Sequence, residues 1–160
     1  MDNEVLKILE KDARTTPEQI AIMTGKTLPE VENIIEEAEK ERIILRYKTV
    51  INWERATEPQ VSALIEVTIS PQRDVGFDAI AERIYRFPEA RSVYLVSGGY
   101  DLAVIVTGKT MQEVAAFVTR RLAPLEGVRG TVTHFLLKRY KEDGDILDGE
   151  EGVRRLPISF

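Results

Sequence analysis

The spacing of the apolar residues in this chain changes near residue 60. Before that point they recur every three or four residues, as on the buried face of an α-helix. From Val61 to Ser70 they alternate with other residues, as in a strand that packs on one side. A polar stretch containing Pro59 separates the two patterns. The sequence therefore predicts two small domains, residues 1–51 and 61–140, joined by a linker at residues 52–60.

The first domain is predicted to be a winged helix-turn-helix. Residues 3–13 are amphipathic, and two segments, Thr16-Pro17-Glu18-Gln19 and Thr27-Leu28-Pro29-Glu30, have the spacing of a capping box. Gly25 leaves only a short turn between the second and third helices, which is the helix-turn-helix arrangement. Residues 42–51 are rich in β-branched side chains and predict a wing or a connecting strand.

The second domain is predicted to be an α+β sandwich of the ferredoxin-like type. Its pattern is strand, helix, strand, strand, helix, strand, with helices at Phe77–Phe87 and Thr110–Leu122 and a last strand at Val128–Tyr140. Right-handed crossovers place both helices on one face of the sheet. The other face would carry some of Leu64, Tyr94, Val96, Ala103, Ile105, Phe135 and Leu137. Because soluble monomers rarely expose so large an apolar patch, we expect a dimer through this face.

The turn Ser97-Gly98-Gly99-Tyr100-Asp101 joins the second and third predicted strands of that domain. Glycine leaves backbone amides uncovered, and an acidic side chain stands beside them. Such a pair can hold a small zwitterion, with its carboxylate on the amides and its ammonium on Asp101. The alternative is a plain hairpin in which the glycines make the turn and Asp101 caps it. From the turn alone, the plain hairpin is the simpler interpretation.

Composition narrows the classes of function. The chain has no cysteine and a single histidine, His134, which argues against metal-centred catalysis, and no cofactor is expected. No apolar run reaches the roughly 20 residues of a membrane span. The N-terminus has neither the basic start nor the apolar core of a secretory signal. We therefore expect a cytoplasmic protein without a membrane partner.

The C-terminal residues 141–160 are predicted to be an acidic tail. They carry 3 basic and 6 acidic side chains, and Lys141–Asp145 has the composition of a solvated linker. The last five residues, Leu156–Phe160, are apolar enough to dock on a partner subunit; disorder is the alternative.

Together these features resemble the Lrp/AsnC family of feast/famine transcription regulators over residues 3–140. Three segments carry the resemblance: Leu45–Val50 with Tyr47, Val96–Asp101 at the turn, and Pro124–Val128 before the last strand. The resemblance implies a homodimer that assembles into tetramers, octamers or larger rings, and an amino acid or similar effector bound between dimers. It also implies that the effector contacts Gly98, Gly99, Tyr100, Asp101, Thr131 and Thr133. For the two threonines, ordinary strand residues are the alternative.

The third helix departs from the family pattern, in which arginines are usual. Leu28–Glu41 holds six glutamates and one lysine, a net charge of −5, and Glu36 and Glu37 stand where arginines are expected. Carboxylates oppose binding to the phosphates of double-stranded DNA. The residues that remain available for DNA are Lys26, Thr27 and Asn33 at the start of the helix, and Arg42, Arg46 and Lys48 after it.

Three functions compete at this point. The first is a DNA-binding regulator that responds to an amino acid, and the second is an amino-acid-binding regulator whose DNA binding is weakened or lost. The third is an enzyme, because sirohaem decarboxylases look like the same two-domain architecture. Residues 91–96 contain one arginine and no histidine, and no nucleophile–base pair is apparent, so we expect no enzymatic activity.

Overall fold

The structure is a computed structural model that describes residues 3–56, 60–70 and 76–147. The chain divides into two compact units, Met1–Ile51 and Asn52–Phe160. Within the described ranges, no helix is both long and apolar enough to cross a membrane. The apolar segment Leu156–Phe160 lies outside the described residues.

The first unit consists of three helices, as predicted: α1 (Asn3–Lys11), α2 (Pro17–Thr24) and α3 (Leu28–Lys40). Thr16 and Gln19 form the predicted capping box of α2. Gly25 ends that helix with φ of 70°, a left-handed conformation that glycine adopts without strain. The helices bury one small core, made of Val5, Leu9, Ile20, Ala21 and Val31.

The segment predicted as a wing, residues 42–51, forms neither helix nor strand. A strand requires a neighbouring strand for its hydrogen bonds, and the described residues of this unit supply none. The segment starts at Arg42, whose φ of 58° is left-handed. Leu45 and Tyr47 are exposed in the single chain.

The second unit contains the predicted four-stranded sheet. All its strand pairs are antiparallel, and the strand order is β2-β3-β1-β4. Its elements are β1 (Val61–Ile69), α4 (Phe77–Tyr85), β2 (Ala90–Leu95), β3 (Leu102–Gly108), α5 (Met111–Phe117) and β4 (Val128–Leu136). A π-helical turn, Val118–Leu122, continues α5. The helix α4 ends before Phe87 and β4 ends before Tyr140, so both are shorter than predicted.

Both helices lie on one face of the sheet and form its core. The central strand β1 contributes Ala63, Ile65, Val67 and Ile69, each almost fully buried. From the helical side, Ile80 and Ile84 of α4 and Val114 and Phe117 of α5 pack against them. This arrangement confirms the ferredoxin-like fold class.

The opposite, open face of the sheet differs from the prediction in one strand. Phe135 pairs with Ala63, so it points to the helical side and packs on the core. The residues of β4 on the open face are instead Val132, His134 and Leu136. The predicted residues Leu64, Tyr94, Ala103 and Ile105 do share this face, while Val96 and Leu137 lie outside the strands. A shift of one residue moves every side chain of a strand to the other side.

The predicted acidic linker after β4 starts with a small hairpin. Strands β5 (Lys141–Glu142) and β6 (Asp145–Ile146) pair across Asp143 and Gly144, whose φ angles of 46° and 94° suit a tight hairpin turn. Two contacts attach residues of the predicted linker 52–60 to this part of the chain. The Asn52 side-chain amide donates to the Leu147 carbonyl at 3.2 Å, and the Arg139 N–H donates to Glu54 Oε1 at 3.1 Å.

Candidate functional site

The turn between β2 and β3 is held by backbone bonds at its base. The Val96 N–H donates to the Asp101 carbonyl at 2.9 Å and closes a loop of four residues, Ser97 to Tyr100. The Asp101 N–H donates to the Val67 carbonyl at 3.1 Å. These bonds fix both ends of the loop to the sheet.

The Asp101 carboxylate has a structural partner. Its Oδ2 atom accepts the Ile69 N–H at 2.7 Å, beside the irregularity where the β1–β4 register shifts. The side chain thus supplies an acceptor to a backbone donor at the end of β1. No described residue donates a hydrogen bond to its other oxygen, Oδ1. The bond from the Ile69 N–H goes to β1 and not to the turn, so it is not the turn cap of the plain-hairpin alternative.

Gly98 and Gly99 are exposed, and the fold itself does not require glycine at either position. Neither residue has a left-handed φ, and a Cβ atom added to either would meet nothing within 4 Å. What glycine provides at these positions is an uncovered backbone. Uncovered amides beside a carboxylate are what the zwitterion hypothesis requires.

The predicted threonines lie two strands away from the turn. Thr131 pairs with Val67, the residue whose carbonyl receives the Asp101 N–H, and Thr133 pairs with Ile65. With strands about 4.8 Å apart, Thr131 lies about 10 Å from β3 in the sheet, and Thr133 is about 7 Å farther along β4. Both are half-exposed on the helical side of this edge strand. The sheet therefore brings Thr131 nearer to the turn than Thr133.

The predicted DNA-contacting residues at the start of α3 are partly engaged within the chain. The Thr27 N–H and hydroxyl both donate to Glu30 Oε2, at 2.8 and 2.7 Å. Both hydrogen bonds lower the pKa of the Glu30 carboxyl, and the one from the backbone N–H has the larger effect. Lys26 is half-buried and its charge acts on the same carboxylate. Asn33 is exposed.

The exposed side of α3 is mixed in charge. Successive residues turn by 100° around a helix, so Asn33, Glu36, Glu37 and Lys40 lie opposite the buried Val31 and Ala38. Glu36 and Glu37 therefore lie on either side of Asn33, the predicted DNA-contacting residue of this face, and of Lys40. The acidic face that the sequence predicts is present.

A side-chain contact links α3 to the segment that follows it. The Tyr47 hydroxyl donates to Glu39 Oε1 at 2.8 Å. Partial desolvation of the hydroxyl, the hydrogen bond to Glu39 and the charge of that carboxylate raise the pKa of Tyr47 to about 12, although about half of the residue is exposed. The side chains of Arg42, Arg46 and Lys48 are exposed on the same segment. Three cationic side chains thus follow the acidic helix α3, on a segment that the Tyr47–Glu39 hydrogen bond connects to that helix.

Comparison with known proteins identifies the family. The model of the Lrp/AsnC ligand-binding domain matches residues 62–146, more than half of the chain. An uncharacterized HTH-type transcriptional regulator of Bacillus subtilis, YugG, is 44% identical over 159 residues, which cover 99% of this chain and 96% of the relative. The chain belongs to the Lrp/AsnC family of transcription regulators.

Solved Lrp/AsnC structures have the same fold. The leucine response regulatory protein LrpA of Mycobacterium tuberculosis superposes with a TM-score of 0.75 at 21% identity and covers 92% of this chain and 99% of its own. A transcriptional regulator of Neisseria meningitidis in complex with L-Met gives a TM-score of 0.72 at 21% identity, covering 89% and 93%. The enzyme alternative gains no support from this Lrp/AsnC membership.

Sequence reasoning missed the contacts that hold the predicted residues in place. Glu39 and Tyr47 are eight residues apart, Ile69 and Asp101 are 32 apart, and Glu66 and His134, whose Oε1 and Nε2 atoms lie 3.0 Å apart, are 68 apart. No local spacing rule joins residues at these separations. The one available signal for Asp101 was its position directly before an apolar strand, where a capping side chain is common.

Proposed function

We propose that this Lrp/AsnC protein is a DNA-binding transcription regulator whose DNA affinity is controlled by an amino acid bound at the Gly98–Asp101 turn. One observation carries the proposal: Gly98 and Gly99 are glycines that the fold does not need, beside a carboxylate with one oxygen left over. The related protein from Neisseria meningitidis was solved with L-Met, and an amino acid is the corresponding ligand class for this chain.

The amino acid would lie with its carboxylate on the uncovered amides of Gly98 and Gly99 and its ammonium near Asp101. Tyr100, half-buried in the same loop, is the nearest predicted contact for its side chain. Thr131 is the fifth contact, and Thr133 is a contact only for a longer ligand. An effector of this kind acts by binding two states of the assembly with different affinity.

The assembly proposed for this chain starts with a homodimer. The open face of the sheet exposes Tyr94, Val132 and Leu136, with relative exposures of 57%, 52% and 43%. A second copy of the same face would bury them. Tetramers or octamers of such dimers would bring effector turns of different dimers together, and several helix-turn-helix units would act at once.

DNA would be held mostly by the cations that follow α3. Arg42, Arg46 and Lys48 are exposed and can reach phosphates, while Asn33, Lys26 and Thr27 are the candidates for contact with base edges. Each phosphate contact contributes to the salt dependence of binding. Several copies in one assembly offset the weak affinity of a single acidic module.

A thermal-shift screen of the full chain against single amino acids tests the effector site. An amino acid at a hundred times its dissociation constant stabilises a protein by about 2.7 kcal/mol. We expect Gly99→Val to lose this shift, because the new side chain covers the amides without disturbing the fold. Gly76→Val is the matched control, since a Cβ at Gly76 also meets nothing within 4 Å. A shift that survives in Gly99→Val would place the effector elsewhere.

A second function remains a candidate because Glu36 and Glu37 flank the exposed centre of α3. In that case the first unit binds a protein, and the chain senses amino acids without binding DNA. Fluorescence anisotropy with the DNA upstream of its own coding region distinguishes the two functions. Salt-sensitive binding by the wild type supports the regulator. No binding at low salt, with or without amino acids, combined with gain of binding in Glu36→Arg/Glu37→Arg, supports the second function.

A further inference from the structure

Beyond its first turn, the helix α3 presents four side chains on the side opposite its buried residues. They are Asn33, Glu36, Glu37 and Lys40, all exposed, and the last three follow Asn33 by three, four and seven residues. The second helix of a helix-turn-helix is the one that enters the major groove of DNA. Homeodomains read bases with four side chains at this same spacing on such a helix. The spacing therefore puts these residues of α3 where base-reading side chains lie.

Glu36 points closer to the middle of this exposed side than Glu37 does. The buried residues Val31 and Ala38 mark the opposite side of the helix. At 100° per residue, Glu36 lies about 30° from the middle of the exposed side and Glu37 about 70°. A helix about 10–12 Å wide fills a major groove about 12 Å wide, so its middle faces the base edges and its flanks face the phosphates. Glu36 is therefore directed at bases, where phosphate charge opposes a carboxylate least.

The carboxylate of Glu36 is not used by the fold. Two other glutamates of α3 have partners, since Glu30 accepts from Thr27 and Glu39 accepts from Tyr47. Glu36 makes no hydrogen bond or ion pair with residues 3–56, 60–70 or 76–147, which the structure describes. Its two oxygens are therefore available to a donor on DNA.

Cytosine is the base whose major-groove edge suits a carboxylate. It presents the N4 amino group, which is a donor, and no acceptor. Guanine presents the acceptors O6 and N7, and thymine presents O4, so both repel a carboxylate. Adenine has a donor at N6 beside an acceptor at N7, a pair that suits the amide of an asparagine. A glutamate and an asparagine on one helix therefore select different bases.

We propose that α3 reads DNA sequence through Glu36, which accepts a hydrogen bond from the N4 amino group of a cytosine, while Asn33 pairs with an adenine. The two residues are about 4.5 Å apart along the helix axis and successive bases are about 3.4 Å apart, so the two bases lie within two base steps. The inference rests on the DNA binding proposed above and adds which bases are selected. One carboxylate of the acidic helix thereby contributes specificity at some cost in affinity.

Selection of randomised duplexes by the full chain at low salt, followed by sequencing of the bound DNA, tests the proposal. We expect the wild type to prefer cytosine at one position by about fivefold or more. In Glu36→Gln this preference should change to adenine, because a glutamine amide pairs with N6 and N7 of adenine. The adenine preference assigned to Asn33 should stay, which also shows that the variant is folded. Glu10→Gln removes the same charge from the exposed side of α1 and, as the matched control, should keep both preferences.

A modified base separates Glu36 from a cation that reads the guanine of the same base pair. Replacing that guanine by 7-deazaguanine removes its N7 acceptor and leaves the N4 amino group of cytosine in place. We expect the wild type to bind the selected site equally well with either base. Weaker binding to the 7-deazaguanine site would assign the pair to a cation such as Lys40 and overturn the proposal.

The outcome of the selection also separates this inference from the function on which it rests. A wild type that binds DNA without a cytosine preference, or a cytosine preference that Glu36→Gln leaves unchanged, would overturn the role of Glu36 alone. A wild type that binds no duplex at low salt, with or without amino acids, would refute both that role and the proposed DNA binding.

Discussion

Tyr47 is the residue whose ionisation best reports how the third helix is joined to the chain that follows. Its hydroxyl donates to Glu39, and its neutral form is favoured in the fold because partial desolvation and the nearby carboxylate both disfavour a phenolate. Glu39 is one of the six carboxylates of Leu28–Glu41, and Glu30 is another that is bonded, to Thr27. Part of the unusual acidity of this helix therefore serves local structure.

The first prediction concerns the titration of Tyr47. Its pKa of about 12 lies above the ordinary value of 10.0, so its stabilising effect is complete below pH 10 and is lost as the pH rises towards 12. Titration by phenolate absorbance should show one late component in the wild type that Tyr47→Phe lacks. If the component removed by Tyr47→Phe instead titrates near 10, the contact with Glu39 does not persist in solution. Glu39→Gln, which keeps an acceptor but removes the charge, should move the component downwards.

At the scale of elements, the connection from the π-helical turn into β4 depends on Gly127. Its φ of +91° is left-handed, and a Cβ added to it would lie 2.5 Å from Ile80 Cδ1 of α4. Its carbonyl accepts the Ser70 N–H at 2.9 Å, which ties the connection to the end of β1. Glycine is therefore required twice at this position, by the backbone and by the packing.

The second prediction is that Gly127→Ala lowers the free energy of unfolding of the second unit by about 2 kcal/mol or more, since left-handed strain and overpacking each cost about 1 kcal/mol or more. Urea denaturation measures the change. Ile80→Val removes the clashing methyl group, so it should cost less in the Gly127→Ala background than in the wild type. Gly130→Ala is the control, because a Cβ there meets nothing within 4 Å. Equal losses for the two alanine variants would contradict the prediction.

Elements that depend on local signals were predictable from the sequence, and those that depend on distant partners were not. The start of α2 followed from a hydroxyl cap, a proline and a glutamine within four residues. The prediction of which side of β4 faces the helices was wrong. The segment from Thr131 to Leu136 has polar and apolar residues on both sides, so its sequence favours neither register. The hairpin at Asp143-Gly144 has a local signal, because Asp-Gly is a common pair in tight hairpin turns. The prediction missed it because the acidic composition of the segment indicated a linker.

The candidate site also has features that the sequence predicts and features that it does not. The chemistry of the turn, an acidic residue beside a glycine pair, can be seen in the sequence. The unneeded glycines and the bond from the Ile69 N–H to Asp101 are properties of three-dimensional packing. None of them has a sequence spacing that could be searched for.

At the scale of the whole molecule, the open face of the sheet exposes large apolar side chains in the described single chain. It combines the apolar Tyr94, Val132 and Leu136 with the Glu66–His134 pair, whose atoms lie 3.0 Å apart. A dimer formed by this face would bury apolar area at roughly 25 cal/mol per Å². It would also enclose a carboxylate and an imidazole that are already paired.

The third prediction is that Val132→Asp disrupts this dimer, because a carboxylate would have to be buried against its own copy. Light scattering coupled to gel filtration should give the mass of one 18.1 kDa chain for the variant and a multiple of it for the wild type. Gln112→Asp introduces the same charge on the exposed side of α5 and should leave the assembly intact. A wild type that elutes as a monomer at working concentration would refute the assembly proposed for this face.

The open surroundings of Gly98 and Gly99 have an evolutionary consequence. Substitution at most glycines of the core or of tight turns is penalised through stability before any effect on ligand choice can be selected. At Gly98 and Gly99 substitution carries no such stability penalty from packing, since an added Cβ atom meets nothing within 4 Å. If the turn is the effector site proposed above, descendants of this chain can change what they sense by single mutations there, while the sheet that carries the turn stays the same.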